Sequence, residues 1–189
     1  MWALVESGSV SKVYTQPKSI TVGDIQYPSN IFMLWTSSEL EAIGIYEVVI
    51  DNTNYKDPEY YINTNQSFAF GSGKVTATYG TATAKALDDT TTDGVVTRGL
   101  KYKCCQKVDK EAYSLLQPND WMVVRNAESS KAIPSDWLDY RVAVRTAASD
   151  MRTKINAVAN VDALAALYVS NDATPPVRPL GEFPTEPTS

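Results

Sequence analysis

The sequence predicts an α+β fold: a β-rich N-terminal part over residues 1–87, a helical part over 95–170 and an extended arm over 172–189. Three observations carry this reading. Short β-branched and aromatic runs, separated by turn residues, fill the first part. From about residue 97, apolar residues recur at spacings of three or four, the period of a helix face. The last stretch holds five prolines and fits neither a helix nor a central strand. Strands and helices are segregated along the chain, which argues against βαβ units.

Trp2-Ala3-Leu4-Val5 and Val10-Ser11-Lys12-Val13-Tyr14 flank a Ser-Gly-Ser turn and read as a hairpin. Ser19 to Val22 and Ile25 to Tyr27, joined by Gly23-Asp24, read as a second. Ser38-Glu39-Leu40-Glu41 has the capping-box pattern and predicts a short helix ended by Gly44. Tyr46 to Ile50 is strand-like, and Ser67 to Phe70 turns through Gly71-Ser72-Gly73 into Lys74 to Tyr79. Asp88 to Gly94 reads as a polar, acidic loop.

A helix follows over 97–117, with Leu100, Cys104, Val108, Ala112 and Leu115 on one face and Pro118 at its end. Asp120 to Val124 reads as a short apolar insert. Pro134-Ser135-Asp136 starts a second helix, with Trp137, Tyr140, Val144, Ala147, Met151, Ile155 and Val158 as its stripe. Asn160 caps a last short helix carrying Leu164 and Leu167.

Composition narrows the function. The chain has 189 residues, 43% of them hydrophobic, enough to bury a core. Its 22 acidic residues outnumber 17 basic ones, for a net charge of -5, which argues against nucleic acid as a partner. Histidine is absent, so the commonest general base and metal ligand is missing. The two cysteines, Cys104 and Cys105, are adjacent, which points away from a disulfide framework and towards a reducing compartment. The first residues lack a basic, apolar leader pattern, and no run reaches the length of a membrane span. The expected site of synthesis is a cytoplasm.

Each chemical motif meets a plainer reading. Gly71-Ser72-Gly73-Lys74 lacks the earlier glycine and the following Ser or Thr of a phosphate loop, and reads as a hairpin turn. Neighbouring cysteines point about 100° apart on a helix, which suits a buried Cys104 rather than a redox pair. Asp88, Asp89 and Asp93 lack the ligand order of a calcium loop. Arg98, Lys101, Lys103, Lys107 and Lys110 form the wet face of an amphipathic helix. No cofactor and no metal is expected, and no catalytic residue is assigned.

Residues 110–145 carry a more specific pattern. A leucine pair, Leu115-Leu116, precedes Asp120-Trp121 and a short apolar run; a loop then leads to Trp137-x-x-Tyr140-Arg141-x-x-x-Arg145. This resembles the C-terminal module of bacteriophage tail-fibre assembly chaperones. The first ten residues resemble the β-hairpin start of small phage tail proteins. The resemblance implies a non-enzymatic tail or tail-fibre-associated protein that binds other tail subunits. It would be made in the host bacterial cytoplasm and either stay in the virion or leave after assembly. The alternative is a small carbohydrate-binding module or glycan-active enzyme that uses exposed Trp or Tyr with a carboxylate.

In this reading the partner-binding candidates are Trp121, Trp137, Tyr140, Arg141 and Arg145, with Leu180 and Phe183 on the arm. The aromatics are expected to staple two antiparallel helices, and the arginines to pair with Asp139, Glu111 or a partner's carboxylates. Val177, Leu180 and Phe183 recur every third residue, the period of polyproline II. The arm is therefore expected to lie along a neighbouring subunit, with Leu180 and Phe183 as anchors.

Overall fold

The computed structural model describes residues 1–188 and is of the α+β class, strands first and helices after. The chain divides into two compact units, Met1–Thr83 and Ala84 onward.

In the first unit, β1 (Trp2–Glu6) and β2 (Ser9–Tyr14) form a hairpin whose two turn residues, Ser7 and Gly8, both have positive φ. That turn matches the natural twist of paired strands. A small hairpin of β3 (Ile20–Val22) and β4 (Ile25–Tyr27) follows, then two short helices, α1 (Ile31–Leu34) and α2 (Ser37–Ala42). The strand β5 (Ile45–Asp51) runs antiparallel to β1. After β6 (Tyr61–Ile62), the hairpin of β7 (Gln66–Gly71) and β8 (Lys74–Tyr79) returns, and β8 pairs parallel with β5. The sheet order is β2-β1-β5-β8-β7. Its edge strands β2 and β7 approach each other, so the sheet curls.

Strand alternation puts apolar residues on both faces. Leu4, Tyr14 and Ile45 pack with Ile20, Ile31, Phe32 and Leu40 on one side. Ala3, Val48, Val75 and Ala77 pack on the other, with Phe68 and Phe70 partly covering them. Gly44 links α2 to β5 at φ +81, and a Cβ there would lie 2.9 Å from the Val5 carbonyl oxygen. Gly71-Ser72-Gly73 makes a hairpin turn, with Ser72 and Gly73 at positive φ.

The capping box lies two residues earlier than the sequence suggested. Thr36, not Ser38, caps α2: its hydroxyl accepts from the Glu39 N–H, and the Glu39 carboxylate accepts from the Thr36 N–H. Both patterns fit the motif, but Thr36 follows the turn that ends α1. These bonds from Thr36, led by its backbone N–H, hold the Glu39 carboxyl below the usual carboxylate range. A lowered folded-state pKa contributes stability above the unfolded value, and that contribution is lost as pH falls through the folded value. Thr36→Ala should lower the unfolding midpoint by about 4–8 °C at neutral pH. The difference from wild type should narrow below about pH 4, as followed by circular dichroism at several pH values.

After β9 (Thr83–Ala84), the second unit places a small hairpin, β10 (Thr90–Thr92) with β11 (Val95–Thr97), where a polar loop was expected. Asp93 and Gly94 form its positive-φ turn. The helix α3 (Leu100–Leu116) buries Leu100, Cys104, Val108 and Ala112, as its period requires. Its N-terminal N–H groups find partners in the preceding chain: Leu100 donates to the Ala86 carbonyl and Lys101 to that of Leu87. Gly99 donates to Asp89, and a Cβ at Gly99 would fall 2.4 Å from the Asp88 backbone.

A single 3-10 turn over Gln117–Asn119 leads into α4 (Asp120–Ser129). The apolar insert expected here is a helix, with Trp121, Val124 and Arg125 at helical spacing. The helix α5 (Ser135–Ala157) buries Tyr140, Val144, Ala148, Met151 and Ile155. It packs antiparallel to α3, as the ties Leu116–Arg141, Asp109–Arg152 and Cys105–Asn156 show. A short α6 (Val161–Ala166) is capped by the Asn160 side chain.

The arm folds back onto its own unit. Leu180 is buried, and its N–H donates to the Leu167 carbonyl just after α6. The Lys154 ammonium on α5 donates to the carbonyls of Pro179 and Leu180. Leu180 therefore serves as a core residue of its own chain rather than as an anchor on a neighbouring subunit. The reason is that the Leu167 carbonyl after α6 and the Lys154 ammonium on α5 bind the backbone of residues 179 and 180 and hold Leu180 against the unit.

Candidate functional site

Of the sequence candidates, Arg141 sits at the junction between α3 and α4 and organises it. Its side chain is only 4% exposed. One guanidinium nitrogen donates to the Leu116 carbonyl at 3.1 Å, and the other reaches the Asp120 carboxylate at 2.6 Å. Leu116 closes α3, where carbonyls lack helical partners and positive charge is favoured. Asp120 opens α4, where negative charge is favoured. One side chain on α5 thus ties the end of one helix to the start of the next. The buried Asn119 amide donates to the Leu115 carbonyl and helps to close α3.

The expected partners of Arg141, Asp139 and Glu111, are corrected to Asp120. Asp139 lies on another face of α5, whereas Asp120 is brought across by the 3-10 turn. Arg145 stays exposed and donates to the Arg141 carbonyl at 3.3 Å.

The aromatics divide into two groups. Trp137 and Tyr140 meet edge to face, with ring centroids 5.9 Å apart. Tyr140 is buried, and its hydroxyl has no hydrogen-bond partner among the described residues. Burial, aided by the nearby Glu186 charge, pushes its pKa up. Trp121 does not join this pair. It lies 54% exposed on α4, with the Arg125 guanidinium 4.7 Å above its ring. The aromatic staple is therefore confined to α5, because the α4 helix carries Trp121 away from the seam.

No residue of α4 is buried. Trp121, Val123 and Val124 are all exposed, so this helix presents apolar groups to solvent while the Asp120–Arg141 link holds its start. Its end is fixed by Ser130 at φ 54 and by the Asn126 amide donating to the Lys131 carbonyl. On the arm, Leu180 is buried and Phe183 half-buried.

Several of the remaining chemical candidates have structural partners. Asp89 holds Arg98 and the Gly99 N–H, which keeps its carboxyl below the usual range, with the Gly99 bond the larger cause. Asp88 pairs with Lys101 at 3.0 Å. Among the described residues, no cluster of His, Cys, Asp and Glu could hold a metal ion. Cys104 is buried, and burial pushes the half-buried Cys105 thiol up, away from a reactive thiolate. No helix among the described residues is long and apolar enough to cross a membrane. A sugar platform would need two exposed tryptophans beside an acidic cleft, yet Trp2 and Trp35 pack against the core and Trp137 is half-buried.

The features that sequence reasoning missed are α4 and the Asp120–Arg141 link. The signals were present: an Asp at a helix start, and Trp121, Val124 and Arg125 at i, i+3 and i+4. No protein-family model, no curated protein and no solved structure matches the chain.

Proposed function

We propose that this chain is a non-enzymatic phage tail or tail-fibre-associated protein, and that it acts by binding another tail subunit through the exposed face of α4. The observation that carries the reading is the Asp120-Trp121 … Trp137-x-x-Tyr140-Arg141 pattern. Its Asp and Arg form the lock at the helix junction, while its first tryptophan is left in solvent. Aromatic and arginine side chains are the usual anchors of protein interfaces, and Trp121 with Arg125 stacked on it is such a pair. A solvent-facing Trp121-Val124 face, with Arg125 stacked on the tryptophan, on a helix held at both ends is better suited to a protein partner than to chemistry.

The test is affinity capture from infected host cells, with wild type and Trp121→Ala compared. The expected catch is a tail or tail-fibre subunit, retained roughly tenfold less by the variant. Because Trp121 is exposed, the thermal midpoint of the variant should stay within a few degrees of wild type. Capture of no tail protein, or equal capture by both forms, would sink the proposal. Mass spectrometry of purified particles then separates its two versions: stoichiometric presence marks a resident tail component, and absence marks a departing chaperone.

A further inference from the structure

We infer that the partner meets α4 with an acidic, apolar peptide segment, in which a carboxylate forks onto the Arg125 guanidinium while an apolar side chain beside it covers Trp121 and Val124. The inference rests on the reading of α4 as the partner-binding face and narrows the chemistry of what binds there. It starts from an imbalance among the arginines. Arg98, Arg141, Arg152 and Arg178 each pair with a carboxylate of this chain, and Arg145 donates to the Arg141 carbonyl. Arg125 is the one arginine that does neither among the described residues. Its Nε is buried and has no hydrogen-bond partner among the described residues. A buried donor without an acceptor is costly, and a guanidinium without a counter-ion is a strong site for one.

The stack on Trp121 holds that charge in place. The guanidinium carbon of Arg125 lies 4.7 Å from the centre of the Trp121 ring. Stacking uses the flat face of a guanidinium and leaves its N–H groups, which lie in its plane, free for an acceptor. Because Nε is covered, the acceptor comes end on, across the two terminal amino groups, and a carboxylate is the group whose two oxygens match that fork. Trp121 and Val124 are 54% and 53% exposed and lie one helical turn apart, with Arg125 at i+4 from the tryptophan. Cation and apolar surface therefore share one face, and their complement is a carboxylate beside an apolar side chain. Glu128, exposed one turn further along that face, forms no ion pair among the described residues and repels a continuous run of negative charge. That favours a peptide with an isolated carboxylate over a nucleic-acid backbone.

The test is selection from a random peptide library on the immobilised full chain, then titration of a selected, fluorescently labelled peptide by anisotropy. Peptides retained by wild type and lost by Trp121→Ala should carry Asp or Glu next to Leu, Ile or Phe. Arg125→Gln should bind the selected peptide at least roughly tenfold more weakly, and Arg125→Lys should recover only part of the loss, because an ammonium keeps the charge without the fork. Added salt should weaken binding to wild type more than to Arg125→Gln. Changing the peptide's acidic residue to Lys should restore binding to Arg125→Glu, which also shows that this form is folded. Selection of basic or uncharged peptides overturns the inference, as does a library that yields no peptide dependent on Trp121. So does equal binding by wild type and Arg125→Gln, or a single-stranded oligonucleotide that displaces the peptide. The tail reading is tested apart from this: capture of a tail subunit that needs Trp121 but is equal for wild type and Arg125→Gln keeps that reading and overturns the inference. Acidic peptides selected through Arg125, with no tail subunit captured, support the inference and sink the tail reading.

Discussion

Leu180→Ala should destabilise the helical unit by about 3 kcal/mol, and removal of everything after Asn171 should cost more. Burial sets the magnitude, because truncating a core leucine to alanine costs about 2–5 kcal/mol, depending on how far the cavity collapses. Leu180 is 2% exposed, so nearly all of its side chain loses contacts. Truncation also strips the Leu167 carbonyl and the Lys154 ammonium of their partners. For a unit of this size, about 3 kcal/mol corresponds to a fall of roughly 10–20 °C in the midpoint. Val177→Ala, at a site 47% exposed, is the control and should stay within about 0.5 kcal/mol. Thermal melts of the three forms check this. An unchanged midpoint for Leu180→Ala would mean that the arm is seated elsewhere.

The second large effect is an asymmetry at the helix junction. Asp120→Ala should cost about 2–3 kcal/mol, and Arg141→Met only about 1 kcal/mol. Removing Asp120 leaves a buried guanidinium without its carboxylate, a change that costs about 3–5 kcal/mol for a fully buried pair. Here Asp120 is 53% exposed, so water reaches that end of the pair and the figure is reduced. Methionine at 141 removes the charge together with the need to compensate it, keeps most of the stem, and leaves the Leu116 carbonyl short of one donor. Denaturant unfolding of both single variants and of the double variant isolates the coupling. Equal costs for the two single changes would contradict this account of the junction.

Much of the fold was legible because local rules and tertiary demands agreed. The hairpins at Ser7-Gly8 and Ser72-Gly73 follow from turn chemistry between alternating strands. The stripes of α3 and α5 follow from helical period and face each other in the core. The misses fall where local signals were split between alternatives. Trp121-Met122-Val123-Val124 is a short apolar run, and such runs do not separate helix from strand by themselves. It becomes helical because the 3-10 turn and Arg141 fix the first turn at Asp120. The partner of Arg141 could not be read from spacing, because Asp120 lies 21 residues away. On the arm, the threefold recurrence of Val177, Leu180 and Phe183 suggested one common edge, but the chain turns at Gly181, where φ is +104. Leu180 enters the core while Val177 stays exposed.

The candidate site was legible in its residue types and not in their roles. Tyr140 and Arg141 were read as contacts for a partner, and both are buried within the unit. Of the candidate aromatics Trp121 is the one left exposed, with Arg125 stacked on it, so the proposed interface is centred on α4; Arg145 of α5 is exposed too, whereas Arg141 is buried.

Cross-linking of the native chain in infected cells, followed by mass spectrometry of the linked peptides, tests the proposed function most directly. Lys131 lies just past the Ser130 cap of α4, and its amine reports on whatever covers that helix. The account predicts links from Lys131 to a tail or tail-fibre subunit, lost in the Trp121→Ala form. Links to tail proteins that arise only from the first unit, or none to any tail protein, would contradict it.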